Sequence, residues 1–215
     1  MADLVIACLS QKGGVGKSTL ARLIARTYAI SGWTVKICDF NTTQLTSQKW
    51  ARVRDELSVK PSIVAEAFIS PSRLRREDFN LVVADGRPDS DQSSLDIARV
   101  SDLIILPTGL ALDDLEPQLG FAKELVDKGI DAQRILFVLN KTDDSAVALS
   151  EARDYLSDFA VAQQDIVARN SYQRAQNHGK ALSEVADHVG KLAERADLLA
   201  AEIVAHINDM EAHAA

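Results

Sequence analysis

The sequence predicts an α/β protein, a doubly wound and mostly parallel sheet with helices on both faces. Two observations carry the prediction. Short apolar runs alternate with helical patterns from one end to the other, as strand–helix–strand units do. The first run, Leu4 to Leu9, leads through Ser10-Gln11-Lys12-Gly13-Gly14-Val15-Gly16-Lys17-Ser18-Thr19 into a pattern in which Leu20, Leu23, Ile24 and Tyr28 share one helical face. At 215 residues the chain has the size of one large α/β domain, so residues 1–215 are read as a single unit. Residues 190–215 are read as its C-terminal packing helix and acidic tail.

The order strand, glycine-rich loop, helix is what a phosphate-binding loop requires. Glycines let successive backbone N–H groups turn inward as an anion nest, and the positive end of the helix dipole points at the same place. Lys17 can then reach the outer phosphates, and the Ser18 hydroxyl can ligate Mg²⁺. Lys12, Gly13, Gly14, Val15, Gly16, Lys17, Ser18 and Thr19 form the candidate nucleotide-binding set.

One departure sharpens this reading. The general loop pattern has a glycine where this chain has Gln11, and here Lys12 precedes the paired glycines instead. The arrangement resembles the deviant Walker A loop of the ParA/MinD family of ATPases. In that family the early lysine reaches across a dimer interface to the nucleotide of the other subunit. The resemblance implies that Lys12 is this signature lysine and Lys17 the phosphate lysine within the subunit. It also implies ATP and Mg²⁺ as cofactors and an ATP-dependent homodimer. The alternative for Lys12 is a solvated loop lysine.

Further along, Gly32 ends the first helix and Thr34 to Cys38 form a second strand, delivering Asp39 to the carboxyl edge of the sheet where ligands gather. By resemblance Asp39 is the Walker A′ aspartate that orients the attacking water and helps hold the metal. The family usually follows it with a second aspartate, a proline and a glutamine, whereas this chain has Phe40, Asn41 and Thr42. The alternative is a strand-end residue that caps the next helix. Residues 45–57 read as a helix with Trp50 and Val53 apolar among Lys49, Arg52 and Arg54. A short strand, Ile63 to Ala65, follows Pro61. Pro71 and Ser72 start a brief basic helix whose Arg73, Arg75 and Arg76 are expected to form a solvated face with Glu77 and Asp78.

Leu81 to Asp85 is an apolar strand ending in an acid, the Walker B arrangement that brings a carboxylate to the metal. Ser18, Asp39 and Asp85 are thus the candidate metal ligands. Gly86-Arg87-Pro88 stands where the family has a threonine and two prolines, and Arg87 either senses the nucleotide or faces solvent. A helix from Asp89 to Val100 precedes the strand Asp102 to Thr108, which resembles a family segment of the same position. Residues 112–128 are helical, and Ile135 to Lys141 is a strand whose exit carries Asn140. The family's asparagine there lies against adenine; an Asx turn is the other reading.

A helix over residues 146–159 leads to a weak strand over 164–167. The stretch Ala168 to Ala175, with His178-Gly179-Lys180, resembles the segment of partition ATPases whose arginine holds non-specific DNA. Arg169 is the matching candidate, and Arg174 and Lys180 are neighbours able to contact phosphates. An ion-paired or helix-capping arginine is the alternative. In the last helix Leu192, Leu199, Ile203 and Ile207 mark an apolar face, and the polar face is acidic rather than basic, so it packs on the core instead of on lipid.

Composition limits the function classes. Apolar residues make up 47% and charged residues 26%, values ordinary for a soluble globular protein. Cys8 and Cys38 sit inside predicted strands without metal-ligand spacing and read as core residues in a reducing compartment. The four histidines show no zinc spacing. No secretory leader and no apolar run of about 18 residues is seen, which points to a cytoplasmic protein. A net charge of −7 argues against coating nucleic acid with the whole surface, but not against a local basic patch doubled in a dimer.

These features together imply a ParA-like ATPase that dimerises around Mg-ATP and hydrolyses it slowly. It would position plasmid, chromosomal DNA or other cargo through non-specific DNA binding, nucleoid-associated when ATP-bound, with an adaptor or centromere-binding-type partner that stimulates hydrolysis. The alternatives are a conjugation-associated relative of the same family and a metabolic phosphate-loop enzyme such as a dethiobiotin-synthetase-like ligase. An iron protein is disfavoured by the placement of the cysteines, and a membrane-bound division-site regulator by the lack of a membrane helix.

Overall fold

The structure, a computed structural model, describes residues 1–88, 92–186 and 191–214. Among the described residues eight strands form one sheet: β1 Leu4–Ser10, β2 Val35–Asp39, β3 Val64–Ala67, β4 Leu81–Pro88, β5 Leu103–Thr108, β6 Ile135–Thr142, β7 Ala160–Val161 and β8 Ile166–Val167. Their order is β3-β2-β4-β1-β5-β6-β7, with β8 pairing β6 farther along, and every pair is parallel. The helices are α1 Lys17–Ile30, α2 Thr46–Glu56, α3 Gln92–Val100, α4 Leu112–Asp127, α5 Ala146–Tyr155, α6 Asn170–Asn177 and α7 Leu192–Ala214.

Strands buried on both faces read as continuous apolar runs, and all seven residues of β1 are buried. Alternate residues of β1 serve two different cores. Leu4, Ile6 and Cys8 pack with Leu20, Leu23 and Ile24 of α1, Trp50 of α2 and Ile203 of α7. Val5, Ala7 and Leu9 pack on the other side with Ile97 of α3, Phe121 of α4 and Ala152 of α5. Each such large side chain contributes about 1.5–3 kcal/mol on burial. Helices on both faces of a parallel sheet are the predicted fold class.

Chain direction across the sheet reverses around β1, whose neighbours are β4 on one side and β5 on the other. In open parallel sheets the ligand crevice forms outside the carboxyl ends of the strands at such a reversal. The glycine-rich loop leaves β1 at that place.

Several elements differ from expectation. The helix expected over 146–159 stops at Tyr155, and Ala160–Val161 pairs with Leu136 and Phe137 as β7. The weak strand expected over 164–167 is only Ile166–Val167, in register with Asn140 and Thr142. Asn170–Asn177 forms a helix that pattern reading left unassigned, because it is polar and buries only Tyr172 and Ala175. The helix expected from Asp89 is described from Gln92; residues 89–91 lie outside the described residues, as does Gly190 before α7. Leu192, Leu199, Ile203 and Ile207 are all buried, as α7 requires of a packing helix. Among the described residues no helix is long and apolar enough to cross a membrane.

The basic turn Pro71–Arg76 is a 3₁₀ helix, and its solvated face comprises Arg73 and Arg76. Arg75 instead donates to the Val100 carbonyl at 2.9 Å and pairs with Asp102, whose other oxygen accepts the Val5 N–H. Glu77 turns the other way, to Lys36 at 2.7 Å.

Candidate functional site

Loop conformation follows from the glycines. Gly14 and Gly16 have φ of +78° and +112°, a region that side chains with a Cβ avoid. Gly16 is also the N-cap of α1 and supplies no side-chain cap, so the first N–H groups of the helix face the loop without an intrahelical partner. A Cβ on Gly16 would stand 1.9 Å from Asn140 Nδ2. The loop therefore closes against the exit of β6.

The two lysines take different positions. Lys17 is 6% exposed, and its Nζ donates to the Lys12 carbonyl at 3.0 Å. Lys12 stands about half-exposed at the mouth; its Nζ pairs with Asp114 and donates to the Asp113 carbonyl at 3.4 Å. It is thus tied to α4 rather than simply solvated.

Behind the loop, β2 and β4 lie in register so that Asp39 is opposite Asp85. Asp39 is fully buried and caps α2. Its carboxylate accepts the N–H groups of Asn41 at 3.0 Å, Ser47 at 2.9 Å and Gln48 at 3.4 Å. Leu45, the N-cap of α2, has no side-chain cap to offer, so Asp39 supplies it from the end of the preceding strand. Burial raises the Asp39 carboxyl, and these backbone donors pull it back.

Asp85 accepts the Ser47 hydroxyl at 2.6 Å through Oδ2, while its buried Oδ1 has no hydrogen-bond partner. Burial pushes this carboxyl up to about 6; the Ser47 hydrogen bond opposes the rise and the neighbouring Asp39 charge adds to it. Arg22, itself buried and lowered by that burial, sets a compensating charge beside both acids. Ser18 Oγ lies 3.0 Å from Thr46 Oγ1.

An unpartnered carboxylate oxygen inside a buried acidic pair is a place for a cation. Hard oxygen ligands suit Mg²⁺, which binds one or two carboxylates and completes its shell with phosphate and water. Ser18, Asp39 and Asp85 could supply that set. Among the described residues no group of three or more His, Cys, Asp or Glu side chains forms an all-protein cage.

On the other side of the loop a cleft of about 440 Å³ is lined by Lys12 to Val15, Gly109 to Ala111, Asp114, Asn140, Lys141 and Asp143. Small-ligand sites span about 300–1,000 Å³, so this one has room for a base and sugar. Asn140 is 3% exposed, and its Nδ2 donates to the Val15 carbonyl. It lines the cleft but braces the loop. Arg87 is exposed at the end of β4.

The three basic candidates beyond residue 168 are not part of this constellation. Arg169 pairs with Asp144, which also pairs with Arg195 at 2.8 Å, so the ion-paired reading describes its present state. Arg174 and Lys180 line one surface cleft with Leu57, Ser171 and His178. Thr46, Ser47, Arg22 and Asp114 belong to the site and were not singled out from sequence. A run of hydroxyl residues soon after Asp39, Thr42-Thr43 and Thr46-Ser47, was the available signal for the first two.

A parallel sheet whose central strand runs through a glycine loop into a helix, with two acids on the neighbouring strand ends, defines a phosphate-loop nucleotide-binding domain. The chain belongs to the family described as CobQ/CobB/MinD/ParA nucleotide binding domain, whose model matches residues 6–182. No curated protein matches the sequence. Solved structures agree on the fold. MinD of Pyrococcus horikoshii with Mg-ADP is 17% identical with a TM-score of 0.72, covering 93% of this chain and 95% of its own. A plasmid partition protein of Borrelia burgdorferi bound to AMPPNP is 14% identical with a TM-score of 0.69, over 94% and 98%. MinD of Aquifex aeolicus in complex with MinC is 14% identical with a TM-score of 0.75, over 94% and 96%.

Proposed function

We propose that the chain is a ParA-like ATPase that dimerises around Mg-ATP, hydrolyses it slowly and thereby positions DNA or another cargo. The observation that carries this reading is the different placement of the two lysines. Lys17 is folded inside the loop, where it would serve the phosphates of its own subunit, while Lys12 stands half-exposed at the mouth and, on exchanging Asp114 for a phosphate, would address a second subunit. Ser18, Asp39 and Asp85 would hold Mg²⁺, which neutralises phosphate charge when bound. Asp39, beside that metal position, would orient the attacking water.

Hydrolysis removes the γ-phosphate that both lysines address, so it loosens the dimer. Arg174 and Lys180, with Arg169 once released from Asp144, would give each subunit a small basic patch for DNA phosphates. An adaptor protein would then act on the dimer, in the cytoplasm and on the nucleoid. The neighbours bound to ATP analogues and to MinC support nucleotide and protein partners as classes.

The test is binding of the purified chain to non-specific duplex DNA at low and moderate salt, with ATP, with ADP and without nucleotide. Binding that needs ATP, falls steeply with salt and weakens in Arg174→Ala/Lys180→Ala establishes it. Absence of DNA binding with ATP, in a sample that dimerises on ATP, removes DNA from the proposal and leaves a protein partner.

A further inference from the structure

The base end of the cleft carries chemistry that an adenine reading does not use. At the exit of β6 the sequence runs Asn140-Lys141-Thr142-Asp143. Thr142 is buried, its hydroxyl held by Asp165 and its carbonyl by the Ala168 N–H at 2.9 Å. Lys141 takes a left-handed φ of +59° beside it. With Thr142 anchored, Lys141 and Asp143 both line the cleft that holds the phosphate loop at its other end. Asp143 Oδ1 accepts the Ser145 N–H at 3.1 Å, which fixes the carboxylate next to the start of α5.

Of the two acids lining the cleft, Asp114 is neutralised by Lys12, whereas Asp143 has no ion pair among the described residues. Asn140 already spends an amide hydrogen on Val15. The exposed charged groups at this end are therefore the Lys141 ammonium, which only donates, and the Asp143 carboxylate, which only accepts. Guanine presents N1–H and its 2-amino group as adjacent donors, which one carboxylate can accept together as charge-assisted bonds. Adenine presents a single donor, its 6-amino group, beside an acceptor at N1 that meets the same carboxylate unfavourably. The stem of Lys141 can cover the face of either purine.

We infer that this cleft takes guanine nucleotides as well as adenine nucleotides, and that Asp143 is the residue that reads guanine. The inference rests on the nucleotide-site reading above and adds a substrate class to it.

Displacement of fluorescently labelled ADP from the full chain by ATP and by GTP, with Mg²⁺, tests it. GTP is expected to compete within about tenfold of ATP. Asp143→Asn, which keeps an acceptor for the Ser145 N–H, should weaken GTP by about tenfold or more, the worth of a bidentate base contact, and leave ATP within about threefold. Unchanged thermal unfolding of the variant excludes a folding defect. ATP competition without GTP competition overturns the guanine inference and leaves the nucleotide site standing. GTP binding that Asp143→Asn does not selectively weaken overturns Asp143 as its reader. Failure of labelled ADP and of both triphosphates to bind overturns the nucleotide site itself, and the inference with it.

Discussion

Arg54 and Glu184 meet as a two-pronged ion pair, with Nη1 to Oε2 at 2.7 Å and Nη2 to Oε1 at 2.8 Å, although 130 positions separate them. Arg54 is fully buried. Two further donors go to the carbonyls of Pro61 at 2.7 Å and Gly179 at 2.8 Å, and its guanidinium lies 5.3 Å from the Trp50 ring centroid. Trp50 in turn donates to the Lys180 carbonyl. The segment carrying Lys180 is thus bolted to α2, the helix that Asp39 caps.

Removing one partner of such a pair leaves a buried charge alone. Arg54→Met and Glu184→Gln should each cost about 3–5 kcal/mol in urea unfolding. Burial alone would raise the Glu184 carboxyl, but the Arg54 hydrogen bonds, the Ala181 N–H and the charges of Arg54 and Arg26 together outweigh it and hold the group below the usual glutamate range. With the folded value depressed, the unfolded chain binds the proton first as pH falls. The stabilisation is present above the ordinary glutamate value of about 4.3 and is lost below it. Glu184→Gln should lack that acid-side loss; an identical acid profile would remove the pair from the account.

Lys17→Ala removes from the phosphate loop the buried ammonium that donates to the Lys12 carbonyl. Nucleotide affinity should fall by about a hundredfold or more in calorimetry, as charge-assisted phosphate contacts vanish. Wild-type affinity in this variant would sink the loop assignment.

Asp39 should show two separable effects. Asp39→Ala loses the α2 cap, at about 1–2 kcal/mol of stability, and is expected to bind ATP yet stop hydrolysis, so that the dimer accumulates. Normal phosphate release from a destabilised variant would make Asp39 a capping residue only.

Gly16→Ala combines a disallowed φ with a Cβ 1.9 Å from Asn140. Triphosphate binding should weaken by about tenfold or more. Trimming the neighbour, as Gly16→Ala/Asn140→Ala, should recover only part of it, because the backbone conformation still requires glycine. Full recovery would assign the whole effect to the clash.

Much of this was legible from local pattern. Buried parallel strands must be apolar throughout, so β1, β4, β5 and β6 stood out, and the loop announced itself through residues that only phosphate binding brings together. Elements of two residues, β7 and β8, carry no periodicity to read. Arg54 read only as one of the basic residues around Trp50 and Val53, since nothing near residue 54 reveals an acid at 184. For Asp39 the sequence offered both a metal-side carboxylate and a helix cap; the geometry shows the cap, on a side chain that stands in register with Asp85.

The position of β1 bears on how the protein is made. β1 and β2 are consecutive in the chain but never touch as strands, because β4 lies between them. A ribosome that has released only the first 80 residues has produced a phosphate loop whose strand has no partner on either edge. That nascent segment is apolar on both faces and open to wrong pairings until residue 88 emerges on one side and residue 108 on the other. Ligand binding can therefore arise only after half of the polypeptide exists, and a truncated translation product would be sticky rather than partly active.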